Sequence, residues 1–261
     1  MSSAFIRSDT SRRADIRYCC GSTGAGKSSY IKADVAADKR LLVFDPDDEY
    51  GDIPGIVSFH DGPALLAALK EHKTKPFKAR LVQGGQAAFE LCNSLAFAWT
   101  NCSYIAEEIA DVTRVGKAPQ HWGQLLRRGR KRAIKIYMTT QRPSEADKTA
   151  LTQASIVRTG LLGRHADREA LARDMDIPIA LMEKLRPLDF IEAHRDAQRR
   201  VFVGNAADGT REEITARLRD NAPEAEPKPA QKAPVTAKKP ANNSVKAPRR
   251  NAAQKAGTLK A

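Results

Sequence analysis

Cysteine is scarce in this chain of 261 residues: there are four, with no C-x-x-C spacing and no accompanying pair of histidines. A zinc site and a disulfide framework are therefore not expected. Cys19 and Cys20 lie in an apolar run just before a glycine-rich segment, where buried, reduced thiols are the ordinary interpretation. This cysteine usage is typical of a protein in the reducing cytosol.

Long apolar runs are missing as well. The sequence has no stretch of about 18 apolar residues, which is the length that a membrane-spanning helix needs. The N-terminal segment MSSAFIRSDTSRRADIR contains arginines but no apolar core of the kind found in a secretory signal peptide. We therefore expect no transmembrane segment and a cytoplasmic location.

Acidic residues are too few to balance the basic ones. The chain has 31 Asp and Glu against 44 Lys and Arg, a formal net charge of +13. Such an excess favours a polyanionic partner, and DNA, RNA or an anionic membrane surface would each fit. A basic surface with no specific partner is the alternative, and of these we favour nucleic acid.

Short apolar runs alternate with longer helical stretches between residues 16 and 204. This pattern indicates an α/β fold with an open, mainly parallel central sheet flanked by helices. It predicts nine strands and seven helices, and the last two strands form a closing pair. We assign residues 1–12 to a disordered N-terminus and residues 13–205 to one folded domain.

The remaining residues, 206–261, have a different composition. A short charged helix is expected over 211–219, and from residue 221 onward Pro, Ala and Lys dominate without any aromatic residue. Such a segment buries too little apolar surface to offset its ordering entropy. This segment contains nine Lys and Arg residues but only two acidic residues, Glu224 and Glu226. We therefore predict a disordered basic tail that binds phosphates without sequence preference. A tail that serves only solubility is the alternative.

The segment GSTGAGKSSY, residues 21–30, matches the pattern G-x-x-x-x-G-K-[ST] at every fixed position. An apolar strand precedes it and a helical pattern follows, which is the context that a phosphate-binding loop requires. Lys27 is expected to bridge the β- and γ-phosphates, and the Ser28 hydroxyl is expected to bind Mg²⁺. The sequence therefore predicts that ATP and Mg²⁺ bind at Gly21, Ser22, Thr23, Gly24, Ala25, Gly26, Lys27, Ser28 and Ser29.

Two glutamates end the apolar strand SYIAEE. We expect Glu107 to act on the magnesium side and Glu108 to polarise the attacking water. The usual residue at the first position is Asp, so Glu107 departs from the pattern. The alternative is that both are surface glutamates that open a helix and complement its dipole.

A further strand, IKIYMTT, delivers Gln141 to the carboxyl edge of the predicted sheet. A glutamine there can orient water or sense the γ-phosphate. Pro143 then stops the strand, and Ser144 is predicted to cap the next helix.

Four segments occur in an order that is characteristic of one group of motors: GSTGAGKSS, FDPDDEYGD, YIAEE and TTQRPS. Together they resemble the motor domains of the HerA/FtsK superfamily of DNA-pumping ATPases. Asp48 stands where D-P-x-x-E-Y usually has glycine. The resemblance covers about residues 16–204. A compact motor of this kind is most similar to the genome-packaging ATPases of small tailless, membrane-containing phages, with the Zot-like assembly ATPases of filamentous phages as relatives.

The resemblance implies a RecA-like P-loop NTPase fold, Mg-ATP hydrolysis and a homo-oligomeric ring, usually a hexamer, around DNA that is bound without sequence preference. It also implies docking to a capsid vertex or a membrane-associated phage protein, in the host cytoplasm or with the virion. An arginine finger donated between subunits, worth about 10³–10⁵ in rate in other NTPases, belongs to the same pattern. Arg158 is the first candidate, with Arg127, Arg128 and Arg130 in reserve.

Other functions stay open at this point. A Zot-like assembly or export ATPase would share most of these segments. A small-molecule kinase would explain the phosphate loop but not TTQRPS or the basic tail. A nucleic-acid-binding protein with a vestigial loop is opposed by the intact Lys27 and Ser28. LVQGGQ resembles the ABC-transporter signature, but the insert and the switch histidine that an ABC domain needs are missing.

Overall fold

The computed structural model describes residues 15–220 of the chain. Predictions for residues 1–12 and for the tail from residue 221 onward lie outside the described residues. The strands are β1 (Ile16–Cys20), β2 (Arg40–Phe44), β3 (Ile56–Phe59), β4 (Phe77–Leu81), β5 (Ser103–Ala106), β6 (Lys135–Thr140), β7 (Ile156–Thr159), β8 (Asp189–His194), β9 (Val201–Asn205) and β10 (Thr210–Glu213).

All ten strands belong to one sheet with the order β10-β9-β8-β7-β1-β6-β5-β2-β4-β3. The seven strands β7-β1-β6-β5-β2-β4-β3 of this order are parallel to one another, whereas β8 pairs antiparallel with β7, β9 with β8 and β10 with β9. The predicted α/β fold with a mainly parallel sheet is confirmed. The last two predicted strands form the expected closing pair.

Helices connect the strands and cover both faces of the sheet. They are α1 (Lys27–Val35), α2 (Gly62–Glu71), α3 (Gln86–Trp99), α4 (Ile109–Val112), α5 (Gln120–Arg128), α6 (Lys148–Gln153), α7 (His165–Met175), α8 (Ile179–Glu183) and α9 (Thr215–Asp220), with a 3₁₀ turn at Gly129–Lys131 directly after α5.

Alternation along the central strands divides the core between the two faces. On β2, Leu42 and Phe44 pack with the residues of α2, α3 and α5, while Leu41 and Val43 pack with Ile31 and Val35 of α1. Successive side chains of a strand point to opposite faces, so one apolar run supplies both cores. This explains why β2, β5 and β6 read as continuous apolar segments in the sequence.

The predicted charged helix over 211–219 is partly wrong. Residues Thr210–Glu213 form β10, which pairs with β9, and α9 begins only at Thr215. The β9 strand would otherwise leave its backbone groups unpaired at the sheet edge. Because all four β10 residues are exposed, an edge strand accommodates their charged side chains.

The helix predicted after Pro143 begins later than expected. It starts at Lys148, and its N-cap is Asp147, whose side chain accepts a hydrogen bond of 3.0 Å from the Ala150 N–H. The Ser144 N–H instead donates to Asp167. The predicted cap by Ser144 is therefore wrong, because an aspartate three residues later satisfies the free N–H groups of the first turn.

Within residues 15–220, no helix has both the length and the apolar character that crossing a bilayer requires.

The strand order determines where functional side chains can meet. Strand β6 lies between β1 and β5, and β2 lies beside β5. Because these four strands are parallel, their carboxyl ends share one edge of the sheet. The residues that follow β1, β2, β5 and β6 are therefore neighbours although they are far apart in sequence.

Candidate active site

The glycine-rich loop after β1 is held to the sheet edge by backbone hydrogen bonds. The Gly21 N–H donates to the Thr140 carbonyl over 3.3 Å, and the Ser22 N–H donates to the Leu161 carbonyl over 2.8 Å. Gly26, just before α1, has a φ of 81°, in the left-handed region that a side chain would oppose. The loop thus turns over the edge and opens onto the N-terminus of α1, which favours anions.

Lys27 and Ser28 begin α1 and already contact acceptors at this edge. The Lys27 Nζ donates to the Gly21 carbonyl at 2.9 Å and lies 3.8 Å from the Glu108 Oε1. The Ser28 hydroxyl donates to the Glu49 Oε2 at 2.6 Å. The two groups predicted for phosphate and metal therefore lie beside carboxylates that come from other strand ends.

Glu107, the first residue after β5, is only 2% exposed. Its Oε2 accepts a hydrogen bond of 2.5 Å from the Tyr50 hydroxyl. Burial raises the pKa of Glu107 to about 7, against the lowering effect of hydrogen bonds with Tyr50 and Thr139. The Glu107 carboxyl is thus buried from solvent and hydrogen-bonded to Tyr50.

Glu108 has a different environment from its neighbour. Its backbone is in the left-handed region, with φ 42°, and its N–H donates to the Thr139 hydroxyl at 3.0 Å. Its Oε2 accepts a 3.1 Å hydrogen bond from the Gln141 N–H. Burial raises its pKa, and the charge of Lys27 opposes that shift. This unusual turn brings the carboxylate of Glu108 to the ammonium of Lys27.

Gln141 connects the end of β6 to the phosphate loop. Its side-chain Oε1 accepts a hydrogen bond of 3.2 Å from the Thr23 hydroxyl, while its backbone N–H contacts Glu108. A cleft of about 200 Å³ opens here, and Glu108 and Gln141 both line it. The rest of its wall consists of Thr23, Gly24, Ala25, Gly26, Lys27, Ser28, Ser29, Asp47, Glu49 and Leu188. Gly21, Ser22 and Glu107 are not part of this lining.

Sequence reasoning gave no role to the side chains of the loop that follows β2. Glu49 contacts Ser28, and Tyr50 contacts Glu107, as described above. Asp45 holds this loop in place, because its carboxylate accepts hydrogen bonds from the Glu49 N–H at 2.8 Å and the Tyr50 N–H at 3.0 Å. The segment D-P-x-x-E-Y was the available signal for these residues.

Arg80 on β4 fixes the same loop from the other side. Its guanidinium donates to the Asp45 Oδ2 at 2.7 Å and pairs with Asp48. Asp48 occupies the left-handed region at φ 58°, which explains why glycine is common at such a position. The ion pair with Arg80 offsets part of the strain that this backbone imposes on an aspartate.

The chain is similar in sequence to a known phage protein. The chain is 33% identical over 171 residues to protein P9 of Pseudoalteromonas phage PM2, an alignment that covers 63% of this chain and 77% of P9. The chain belongs to the P9 family. No protein-family model matches the sequence.

Solved structures share the fold of this P9-family protein. The genome packaging NTPase B204 from Sulfolobus turreted icosahedral virus 2, in complex with AMPPCP, superposes with a TM-score of 0.62 at 13% identity, over 74% of this chain and 98% of B204. Its complex with ATP-gammaS gives a TM-score of 0.59 at 14% identity, over 74% and 97% of the two chains. The predicted P-loop NTPase fold is confirmed, as is the resemblance to packaging ATPases of tailless, membrane-containing phages.

The oxygen donors at the site suit the magnesium ion that such a fold implies. Ser28 offers a hydroxyl, and Glu49 offers the carboxylate that accepts the hydrogen bond of Ser28. Glu107 offers a second carboxylate, which accepts the hydrogen bond of the Tyr50 hydroxyl. Hydroxyl and carboxylate oxygens are the ligands that Mg²⁺ prefers. The residues of this P9-family protein therefore fit the ion.

The structure does not bring Arg158 to the cleft. Its guanidinium pairs with Glu192 at 3.0 Å and stacks over the rings of Tyr30 and Phe190. With 14% of its side chain exposed, it has the contacts of a structural residue within its own subunit. Its role as an arginine finger stays a prediction.

The reserve candidates for the finger lie at the other edge of the sheet. Arg127 and Arg128 end α5, and Arg130 follows in the 3₁₀ turn, just before β6 begins at Lys135. The cleft lies where β6 ends. The length of β6 therefore separates the three arginines from the Lys27 of the same subunit. All three are exposed.

Removal of the Tyr50 hydroxyl is expected to impair both stability and hydrolysis. In Tyr50→Phe the buried Glu107 loses its shortest hydrogen bond, so the free energy of unfolding should fall by about 1–2 kcal/mol. ATP turnover should fall by about tenfold, since the carboxyl is no longer held in one orientation. Chemical denaturation and phosphate release measure the two effects.

Tyr104 provides a matched control for that variant. It lies on β5, its ring is fully buried, and its hydroxyl has no hydrogen-bond partner within residues 15–220. Tyr104→Phe should therefore leave turnover unchanged and stability unchanged or slightly higher. Equal behaviour of the two variants would contradict a positioning role for Tyr50.

Glu192 is expected to make stability depend on pH. Burial alone would raise its pKa, but hydrogen bonds from His194 and Arg211 and the charge of Arg158 outweigh burial and lower the pKa to about 2. Because the folded pKa is below the unfolded value, the stabilisation is complete above about pH 5 and is lost as the pH falls toward 2. Glu192→Gln should cost about 2–3 kcal/mol at pH 7 and much less at pH 3.

Denaturant unfolding at pH 7, 5 and 3 measures this difference. Glu169→Gln is the control, because Glu169 pairs with Arg173 on the exposed face of α7 and should contribute less than about 0.5 kcal/mol. A cost of Glu192→Gln that is equal at pH 3 and pH 7 would refute the linkage.

Proposed function

We propose that this protein is a Mg²⁺-dependent ATPase that moves DNA, and that it packages a phage genome into a capsid. The observation that carries the proposal is the convergence of Lys27, Ser28, Glu108 and Gln141 on one cleft at the carboxyl edge of the sheet. Membership of the P9 family and the fold shared with viral genome packaging NTPases support the same function.

Each residue at the cleft has a proposed task. Lys27 reaches the β- and γ-phosphates from the N-terminus of α1, where the helix dipole also favours their charge. Glu108 orients and polarises the attacking water, because its carboxylate lines the cleft and is tied to Gln141. Gln141 links Glu108 to the Thr23 hydroxyl, so it can respond to the γ-phosphate that lies against the loop.

Ser28 and Glu107 remain the proposed magnesium-side groups, and Glu49 joins them because its carboxylate accepts the hydrogen bond of Ser28. When bound, the ion neutralises charge that develops on the phosphates. Tyr50 holds Glu107 at a fixed orientation through its 2.5 Å hydrogen bond.

The proposed partners follow from the same function. The protein binds DNA without sequence preference and forms a homo-oligomeric ring, with a hexamer as the expected size. The ring docks to a capsid vertex or to a membrane-associated phage protein, and acts in the host cytoplasm or on the virion. A net charge of +13 supports a polyanionic partner.

The test is the rate of ATP hydrolysis by the full chain with and without DNA, at graded salt. Duplex DNA is expected to raise the rate at low salt, with an effect that declines as salt releases the protein from the phosphates. A set of small acceptors such as nucleoside monophosphates, assayed for phosphate transfer, controls for kinase activity. Turnover that no DNA stimulates, or transfer to an acceptor, would contradict the translocase function.

A further inference from the structure

A second, larger cleft lies at the opposite edge of the sheet from the phosphate loop. Its volume is about 680 Å³, and its floor includes Ile16 and Ile156, the first residues of β1 and β7. The cleft lies at the start of β1, and Gly21 follows its end. The five residues of β1 between them span about 16 Å at 3.3 Å per residue. The cleft is therefore separate from the proposed ATP site.

Basic side chains from two parts of the chain converge on this cleft. Arg127, Arg130 and Lys131 come from the end of α5 and its 3₁₀ turn, while Arg195 and Arg200 come from the connection between β8 and β9. The cations were visible in the sequence only as two unrelated groups. Tertiary structure places them around one concavity.

The acidic groups near the cleft neutralise only two of these five cations. Asp196 pairs with Arg200 at 2.7 Å and Asp174 pairs with Arg195, while Asp15 is engaged by Arg17 at 3.3 Å. Arg127, Arg130 and Lys131 are exposed, and none has a carboxylate within 4.0 Å in the part of the chain between residues 15 and 220. Among the described residues, three positive charges therefore remain available to an external anion.

The position of these three cations is determined by a rigid support. On α5, Trp122, Leu125 and Leu126 are buried in the core, and the Trp122 indole N–H donates to the Asp147 carboxylate at 2.9 Å. Anchoring that face directs the opposite face, with Arg127, to solvent. The 3₁₀ turn is closed by the hydrogen bond from the Arg132 N–H to the Gly129 carbonyl.

We infer that this cleft binds the sugar-phosphate backbone of duplex DNA. The inference rests on the proposed function and adds where on the subunit the DNA is contacted. Guanidinium and ammonium groups beside the polar side chain of Gln153 are the donors that contact phosphates. Among the described lining residues there is no Phe, Tyr or Trp to stack unpaired bases, and the one ring, the imidazole of His194, is already held by Glu192 at 2.7 Å. That composition fits a duplex backbone better than a single strand or a protein partner, whose interfaces are enriched in aromatic residues.

The test uses the full-length variant Arg127→Gln/Arg130→Gln/Lys131→Gln. Binding of a fluorescent 30-base-pair duplex is measured over a range of salt concentrations. We expect affinity to fall by tenfold or more at low salt, and the slope of log affinity against log salt to fall by about 2–3, at about 0.9 for each lost phosphate contact. ATP hydrolysis without DNA is measured beside binding, because Arg127 and Arg130 are also reserve candidates for the arginine finger.

The matched control removes the same charge elsewhere. Lys70, Lys73 and Lys75 are exposed, without an ion pair within the described residues, and lie at the end of α2 and in the loop that leads to β4. Strand β4 is four positions away from β1 in the sheet, about 19 Å at the usual strand spacing. The variant with all three lysines changed to Gln should bind the duplex with nearly the wild-type salt slope.

The outcomes separate the two proposals. Wild-type protein that binds no DNA would remove the proposed function itself. Wild-type binding that the cleft variant and the control variant reduce equally would overturn the cleft assignment alone. Loss of DNA-independent ATPase in the cleft variant would overturn it as well, because the arginines would then act on a neighbouring active site. The single variant Arg130→Gln keeps the test valid if the triple variant does not fold. Its slope of log affinity against log salt should fall by about one.

Discussion

Replacing Lys27 with alanine is expected to lower the rate of ATP hydrolysis by a factor of about 10²–10³ or more. The ammonium at the start of α1 is the positive charge nearest to the proposed phosphate position, and it points along the loop toward the Gly21 carbonyl. Removing it also leaves Glu108 without its closest cation, so nucleotide affinity should fall together with the turnover rate. Phosphate release and binding of a fluorescent ATP analogue measure the two effects.

The fold should survive this change. Within residues 15–220 Lys27 contributes one hydrogen bond and one 3.8 Å ion pair, so the free energy of unfolding should change by no more than about 1–2 kcal/mol. Lys32→Ala is the matched control on the same helix. Lys32 pairs with Asp52, whose side chain is largely exposed, and its loss should leave hydrolysis unchanged. Full turnover by Lys27→Ala would mean that the loop is not the hydrolytic site.

Replacing Glu108 with glutamine is expected to lower turnover by about 10²–10⁴ while nucleotide binding is retained. Glutamine keeps the shape of the side chain and its acceptor oxygen for the Gln141 N–H, but it cannot take a proton from water. Loss of a negative charge near the phosphates should leave ATP affinity equal or higher. Single-turnover hydrolysis, measured beside equilibrium binding, separates chemistry from binding.

Two further variants test the assignment of Glu108. Asp111→Asn removes a carboxylate from the exposed side of α4 and should have little effect. Glu107→Gln should weaken the dependence on magnesium more than the chemical step, because Glu107 is buried under Tyr50 and does not line the cleft. If Glu107→Gln abolishes hydrolysis and Glu108→Gln does not, the proposed roles of the pair are reversed.

The strands and the phosphate loop could be predicted because their signals are local. The apolar run that forms β1 and the glycines before α1 determine a strand, a turn and a helix within twenty residues. Glu107, Glu108 and Gln141 also came from local signals, since each follows an apolar strand whose carboxyl end must lie at the same edge. Family resemblance then supplied the order of the segments.

The roles within the acidic pair could not be read from the sequence. Glu107 and Glu108 are adjacent, and only the left-handed backbone at Glu108 and the hydroxyl of Tyr50 separate a carboxylate in the cleft from one beneath it. Glu49 had no predicted task for a similar reason. Its contact with Ser28 depends on Asp45 and Arg80, which hold a loop across two strands.

Arg158 shows that a strand position does not determine the contacts of a charge. It was chosen as a finger because it lies on the strand after Gln141, and that role stays a prediction; within its own subunit its side chain contacts Tyr30, Phe190 and Glu192. The edge strand β10 was missed because backbone pairing with β9, not the pattern of its own side chains, makes TREE a strand.

The sequence alone therefore established a P-loop, a mainly parallel α/β fold and the side chains offered at the carboxyl edge. These properties depend on local periodicity, on turn chemistry and on the rule that parallel strands end together. Tertiary structure alone decided which carboxylate faces the cleft, which loop holds Ser28 and Glu107, and that Arg127 and Lys131 share a cleft with Arg200 at the other edge. Those arrangements join residues about 20 to 70 positions apart, and long-range packing, which no local pattern encodes, brings them together.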